Sequence, residues 1–247
     1  MEYDAACLEA DWSCPAPVAL LYLRTLESPV FPRYGINAVV EGRDGTEVYV
    51  TQWLPFSLPE HGTENPGSVL DNIKVGLNLV FYLVGVPWTV VHRCDLSTDQ
   101  CWPATRRLFV GANGIAATPD RSLFFVSDSP EKRVVVLTRA EDGCLEPQDW
   151  IDLPFGVDNL QFDAESEQVL MGTMPDLKAV IQKVSEPEYS VPGGCSVLER
   201  DGDTWRTRDL VLHDGTKLSQ VSGAVRYGST LVLGSPFSPG ILVCTVQ

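Results

Sequence analysis

From Glu47 onward, short runs of Val, Leu, Ile, Phe and Tyr alternate with clusters of Gly, Asp, Pro and Ser. The runs include Glu47-Val-Tyr-Val-Thr51, Thr89-Val-Val-His-Arg93, Ser122-Leu-Phe-Phe-Val-Ser127 and Arg133-Val-Val-Val-Leu-Thr138, and later Gln168-Val-Leu-Met-Gly172 and Thr230-Leu-Val-Leu-Gly234. Their length, β-branched content and bounding turn residues predict strands at the spacing of an all-β fold. Helix signals are scarce.

The unit from Asn113 to Leu153 shows the grouping best. A strand over Asn113–Thr118 is followed by the turn Pro119-Asp-Arg121 and a strand over Leu123–Ser127. A third strand covers Arg133–Thr138, Glu141-Asp-Gly143 turns the chain, and Trp150–Leu153 is the fourth. The pattern restarts at Val157-Asp-Asn-Leu-Gln-Phe162 and again at Ser222-Gly-Ala-Val-Arg226. A looser copy opens at Ile36-Asn-Ala-Val-Val40. A four-stranded unit recurring every ~40 to 50 residues predicts a β-propeller, here of about four blades. Closure is what removes exposed strand edges in such a ring, so a count of four reads as a propeller with blades missing.

Ser68 to Val84 departs from the strand pattern. Val69, Leu70, Ile73, Leu77, Val80 and Phe81 recur at helical spacing, with Ser68 placed to cap the start. The segment reads as a helix packed over one end of the propeller, or as a lid or membrane-surface helix. Lys74 is its only basic residue, which weakens any attraction to anionic lipid. Asn72, Lys74, Asn78 and Pro87 interrupt the apolar stretch Val69–Val91, and its unbroken part is too short for a transmembrane span. Met1-Glu-Tyr-Asp-Ala-Ala-Cys7 has neither a basic nor a long apolar region, so no signal peptide is expected.

The 247 residues suit one large β domain or two small ones. A net charge of −15, from 33 acidic against 18 basic residues, repels phosphate backbones and argues against nucleic acid as a partner. Such a surface accommodates divalent cations or simply serves solubility. Of the seven cysteines, Cys94 and Cys101 flank the loop Asp95–Gln100, where a disulfide or two thiols are both compatible with the spacing.

The short strand opening each unit would line the central channel. Three of the four openings carry an amide or carboxylate near their start, namely Asn37, Asn113 and the pair Asp158-Asn159. Oxygens converging on the channel axis are what a hard cation such as calcium requires, since it takes about six to eight of them. A cation held mainly by neutral amides keeps charge with which to polarise a carbonyl.

Ala112-Asn-Gly-Ile-Ala-Ala-Thr-Pro-Asp120 resembles a stretch of the paraoxonase/arylesterase family, in which Asn-Gly-Ile precedes a Ser-Pro-Asp-Gly turn. Val157-Asp-Asn-Leu160 is similar to that family's Val-Asp-Asn-Ile motif. Leu20–Leu26, Ile36–Val40 and the ending Ser222 to Val246 resemble further segments in the same order. The resemblance covers residues 17–247 and leaves 1–16 as an N-terminal extension. It implies a six-bladed, calcium-dependent β-propeller that hydrolyses aryl esters and lactones, in a secreted or membrane-associated setting. It also implies calcium ligation by Asn37, Asn113, Asp158 and Asn159, and leaves the catalytic base unassigned. The family's N-terminal acidic ligand and its His-His pair have no counterpart here. Ala38 stands where the family has an aspartate for a structural calcium, and Met174 where it has a histidine near the channel mouth. His61, His92 and His213 match no family motif and read as surface or strand positions. Two other readings remain: an inactive or truncated propeller that binds a partner, and a gluconolactonase- or strictosidine-synthase-like propeller.

Overall fold

A computed structural model describes residues 2–3, 18–19, 24–32, 35–57, 69–186 and 188–246. Most of the predicted 1–16 extension, His61 and the greater part of Leu20–Leu26 lie outside these residues. Near the N-terminus, β1 (Glu2–Tyr3) and β2 (Val18–Ala19) form a short antiparallel pair.

The remaining strands form four antiparallel sheets, each in chain order. Blade 1 comprises β3 (Ile36–Glu41), β4 (Glu47–Gln52), β5 (Val91–Asp95) and β6 (Gln100–Pro103). Blade 2 comprises β7 (Ala112–Ala117), β8 (Leu123–Asp128), β9 (Arg133–Arg139) and β10 (Leu145–Asp152). Blade 3 comprises β11 (Gly156–Asp163), β12 (Gln168–Met174), β13 (Gly193–Asp201) and β14 (Thr204–His213). Blade 4 has three strands, β15 (Gly223–Tyr227), β16 (Thr230–Gly234) and β17 (Leu242–Thr245). The nearly all-β propeller architecture read from the sequence is therefore present. Cys94 and Cys101 are joined by a disulfide across the β5–β6 hairpin.

The apolar runs are continuous because the middle strands are covered on both faces. Successive side chains point to opposite sides of a strand. Phe124 and Val126 of β8, with Val135 and Leu137 of β9, therefore pack toward blade 1 and Tyr49, while Phe125, Val134 and Val136 pack toward blade 3 and Met171. Further along, Leu170 and Val197 meet Leu231 and Leu233 of blade 4.

Among the inner strands, β3 lies beside β7, β7 beside β11 and β11 beside β15. No comparable contact joins β3 to β15 among the described residues, so the four blades form an open arc. Its end faces expose Ile36 and Val39 on one side and Val225 and Val243 on the other.

Among the described residues, two α-helices are inserted at corresponding places. The predicted one is α1 (Val69–Val84), between β4 and β5. The other, α2 (Leu177–Ser185), lies between β12 and β13 and was not anticipated from the sequence. Asp176 caps it, accepting hydrogen bonds from the Lys178 and Ala179 N–H groups. In an antiparallel blade, the end of the second strand lies beside the start of the first. The strand order therefore places both helices at the end of the channel where β3, β7 and β11 begin.

Candidate functional site

The three inner strands share an irregularity at the residues singled out by their chemistry. The register between first and second strand shifts between Ile36 and Val39, between Ala112 and Ile115, and between Val157 and Leu160. Each interval is a β-bulge, which leaves residues unpaired and re-aims them. The bulged residues are Asn37-Ala38, Asn113-Gly114 and Asp158-Asn159.

A hydroxyl on the second strand braces two of the bulges. Thr51 Oγ1 accepts the Ala38 N–H (3.0 Å) and donates to the Asn113 carbonyl of the next blade. Ser127 Oγ accepts the Gly114 N–H (2.8 Å) and donates to the Asp158 carbonyl (2.6 Å). In the third blade Gly172 lies opposite the bulge. A Cβ there would sit 2.4 Å from the Ser222 carbonyl oxygen, so the missing side chain lets the fourth blade approach directly. The Asn159 N–H then donates to that same carbonyl at 2.9 Å. Each bulge is thus tied to its neighbour by one polar bridge.

Asn37, Asn113 and Asp158 line one cavity of about 470 Å³, together with Asn78, Tyr82 and Gln220. Trp53, Leu54, Leu79, Met174 and Val180 supply apolar wall. Asn159 is half-buried on the same bulge but does not line this cavity. The Asn113 amide donates to Ser129 Oγ at 3.1 Å, while its Oδ1 is buried without a hydrogen-bond partner. The Oε1 of Gln220 is equally orphaned. Gln220 reaches the cavity from the segment before β15, in a left-handed backbone conformation (φ 54°). Burial pushes the Asp158 carboxyl up to about 6, against the opposing pull of the Asn113 side chain.

Beneath this floor, Asp128 is fully buried at the end of β8. It accepts the N–H groups of Val110 (3.2 Å) and Gly111 (3.0 Å) and pairs with Arg133 at 3.0 Å. It therefore sets the chain that leads into Asn113.

These features meet the requirements of a hard cation. Two buried amide oxygens lacking donors, each costing about 1–3 kcal/mol if left unmet, stand in one cavity with an ionisable carboxyl and a further amide. Among the described residues no three His, Cys, Asp or Glu side chains converge, so the donor set is one of amide oxygens around a single acid. Ala38, Val39, Val40, Ile115, Ala116 and Leu160 help to line a separate cavity of about 350 Å³, and no carboxylate is among its described lining residues.

His92 and His213, both strand residues, do not line the main cavity. Sequence reading missed Asn78, Tyr82 and Gln220. The first two had a signal: over residues 75–84 they are the polar side chains of an otherwise apolar run, and being four apart they share one helix face. Gln220 had none.

The arylesterase family model matches residues 71–245 of the chain. A curated relative, serum paraoxonase/lactonase 3 of Mus musculus, is 27% identical over 132 residues, covering 52% of this chain and 36% of the relative. The same protein of Rattus norvegicus gives the same identity and coverage. The chain thus matches little more than a third of the length of these relatives. A β-propeller domain from Myceliophteria thermophila aligns with 81% of the chain and 49% of its own at 10% identity and a TM-score of 0.46, a likeness of outline only.

Proposed function

This chain belongs to the arylesterase family, and from that premise we propose that it is a calcium-dependent hydrolase of aryl esters and lactones. The observation that supports the reading most is the meeting of Asn37, Asn113 and Asp158 in one cavity, with amide oxygens left unpartnered. In this reading Asn37, Asn113 and Asp158 hold calcium in this cavity and Gln220 adds an oxygen, while Asn159, which the resemblance also implies, stands on the same bulge outside the cavity lining. Calcium, when bound, supplies Lewis-acid polarisation of a carbonyl oxygen. The protein's own part is to bind and orient the ester. Trp53, Leu54, Leu79 and Met174 take its apolar portion, and helices α1 and α2 restrict water above it. A cavity of this volume is sufficient for a small aryl ester. The exposed alkyl side chains of α1, among them Leu70, Ile73 and Leu83, would give the same cavity mouth a contact surface for lipid.

A second reading, a propeller that binds such molecules without turnover, is favoured by one observation: among the described residues Asp158 is the only carboxyl lining the cavity and no histidine joins it. Calorimetric calcium titration and phenyl acetate hydrolysis separate the two. Wild type is expected to bind calcium and to hydrolyse the ester, and chelator is expected to abolish hydrolysis until calcium is restored. Asn113→Ala and Asp158→Ala are each expected to weaken calcium binding at least about tenfold. Undiminished hydrolysis in chelator would refute the metal-dependent mechanism. Calcium binding without hydrolysis would favour the second reading.

A further inference from the structure

α1 carries a polar device that calcium ligation does not use. Asn78 is 4% exposed. Its Oδ1 accepts the Phe56 N–H and its Nδ2 donates to the Phe56 carbonyl, both at 3.0 Å. A side-chain amide that pairs with both backbone groups of one residue fixes the helix in position and in rotation relative to the loop after β4. Phe81 reinforces this seat through ring contacts to Phe56 (5.8 Å) and Trp88 (5.4 Å).

One helical turn beyond Asn78, on the same face, stands Tyr82. It lines the cavity opposite the bulged strands, and its hydroxyl finds no hydrogen-bond partner among the described residues. Every other polar side chain named for the cavity is an amide, a hydroxyl already engaged, or Asp158. The phenol adds a hydrogen-bond donor to a cavity lining that also carries Trp53, Leu54, Leu79, Met174 and Val180. Burial, with the charges of Asp128 and Asp158, pushes its pKa up to about 12, so it keeps its proton at neutral pH. Among the described residues no lysine or arginine lines the cavity, which favours a neutral ligand over an anion.

We propose that Tyr82 is a substrate-binding hydrogen-bond donor to an oxygen of a neutral aryl ester or lactone, and that Asn78 is the positioning residue that presents it. The substrate class rests on the reading above; the donor role does not require turnover. The probe is therefore acetanilide, the amide counterpart of phenyl acetate, which offers the same aryl and carbonyl groups without a labile ester. Its binding is measured by calorimetry in saturating calcium, alongside phenyl acetate hydrolysis and calcium affinity. Tyr82→Phe keeps the ring and removes only the hydroxyl. It is expected to weaken acetanilide binding about 3- to 10-fold, as for loss of one neutral hydrogen bond, with calcium affinity unchanged. Asn78→Ala is expected to weaken it similarly. The double variant is expected to be no weaker than Tyr82→Phe, because both changes remove one interaction. Weakened acetanilide binding in Tyr82→Phe with hydrolysis absent throughout would sink the hydrolase reading and keep Tyr82 as donor. Unaltered binding in Tyr82→Phe, additive losses in the double variant, or no acetanilide binding by wild type would overturn the proposal.

Discussion

At Gly114, β7 approaches the backbone of β11 directly. A Cβ at this position would lie 2.6 Å from the Asp158 carbonyl oxygen, 2.6 Å from the Leu160 nitrogen and 2.7 Å from the Asn159 Cα. Carbon contacts settle at about 3.5–4.0 Å, so Gly114→Ala must open the two strands by roughly 1 Å. The obstacles are three backbone atoms of β11, and none is a side chain that can rotate away. Overpacking of this kind costs about 1–3 kcal/mol, and the rigid surroundings place this case at about 3 kcal/mol. For a chain of this size that is a loss of roughly 6–12 °C in Tm. The same opening separates Asn113 from Asp158, so calcium affinity is expected to fall with it. Gly76→Ala is the matched control. Gly76 sits inside α1, exposed, with nothing within 4 Å of an added Cβ. The methyl there removes a helix penalty of about 0.8–1 kcal/mol and is expected to raise Tm by roughly 2–4 °C. Both variants are compared with wild type by thermal and urea denaturation in chelator, so that metal linkage does not enter. A Gly114→Ala protein within about 1 kcal/mol of wild type would refute the close approach of β7 and β11.

Two further outcomes concern charge. His92 is 2% exposed, its Nε2 bonded to Gln52 (3.0 Å) and its Nδ1 without a partner, and burial depresses its pKa to about 4. The unfolded chain takes up this proton at about pH 6.5 and the folded chain does not until about 4. Stability is therefore expected to fall as pH drops through that window, by at most on the order of 3 kcal/mol, and to level off below it. A His92→Leu series of denaturation curves that keeps the same slope would assign the effect elsewhere. Glu47, 3% exposed, binds Arg139 (2.9 Å) and Arg93 and so ties blade 1 to the β9–β10 corner of blade 2. Burial opposes its ionisation, but the Arg43 N–H and the two arginines outweigh burial and leave its pKa lowered. Its stabilisation is present at neutral pH and lost as pH falls below about 4.5. Glu47→Ala, which removes the partner of two arginines, is expected to cost about 3 kcal/mol in urea denaturation at pH 7 and progressively less as pH falls below about 4.5. A cost that does not shrink as pH falls would refute the ionic role.

Much of this architecture was legible because it is local. Runs such as Leu123–Ser127 and Arg133–Thr138 are apolar without alternation, as strands covered on both faces must be. The turn residues between them set the repeat. Asn37, Asn113 and Asp158 stood out because each opens a unit at the same phase. The second helix was less legible: Leu177–Ser185 is short and mixes Val and Ile with lysines, and its clearest signal is the Asp176 cap. The bulges were not legible, because a register shift exists only between two strands and depends on which residue faces which. Nor were the partners that complete the cavity. Gln220 comes from the fourth blade, about sixty residues beyond Asp158 in the chain. Tyr82 comes from a helix whose rotation is set by the backbone of Phe56.

Strand class, repeat and the residues that open each unit were readable along the chain, since each follows from side-chain period and turn chemistry within a few positions. Which of those residues share a cavity, what walls it, and which polar atoms remain unpaired there came from the packing of the blades. Those are properties of distance between segments remote in the chain, and they arise when blades pack closely enough for a glycine at 114 or 172 to be the only residue that fits.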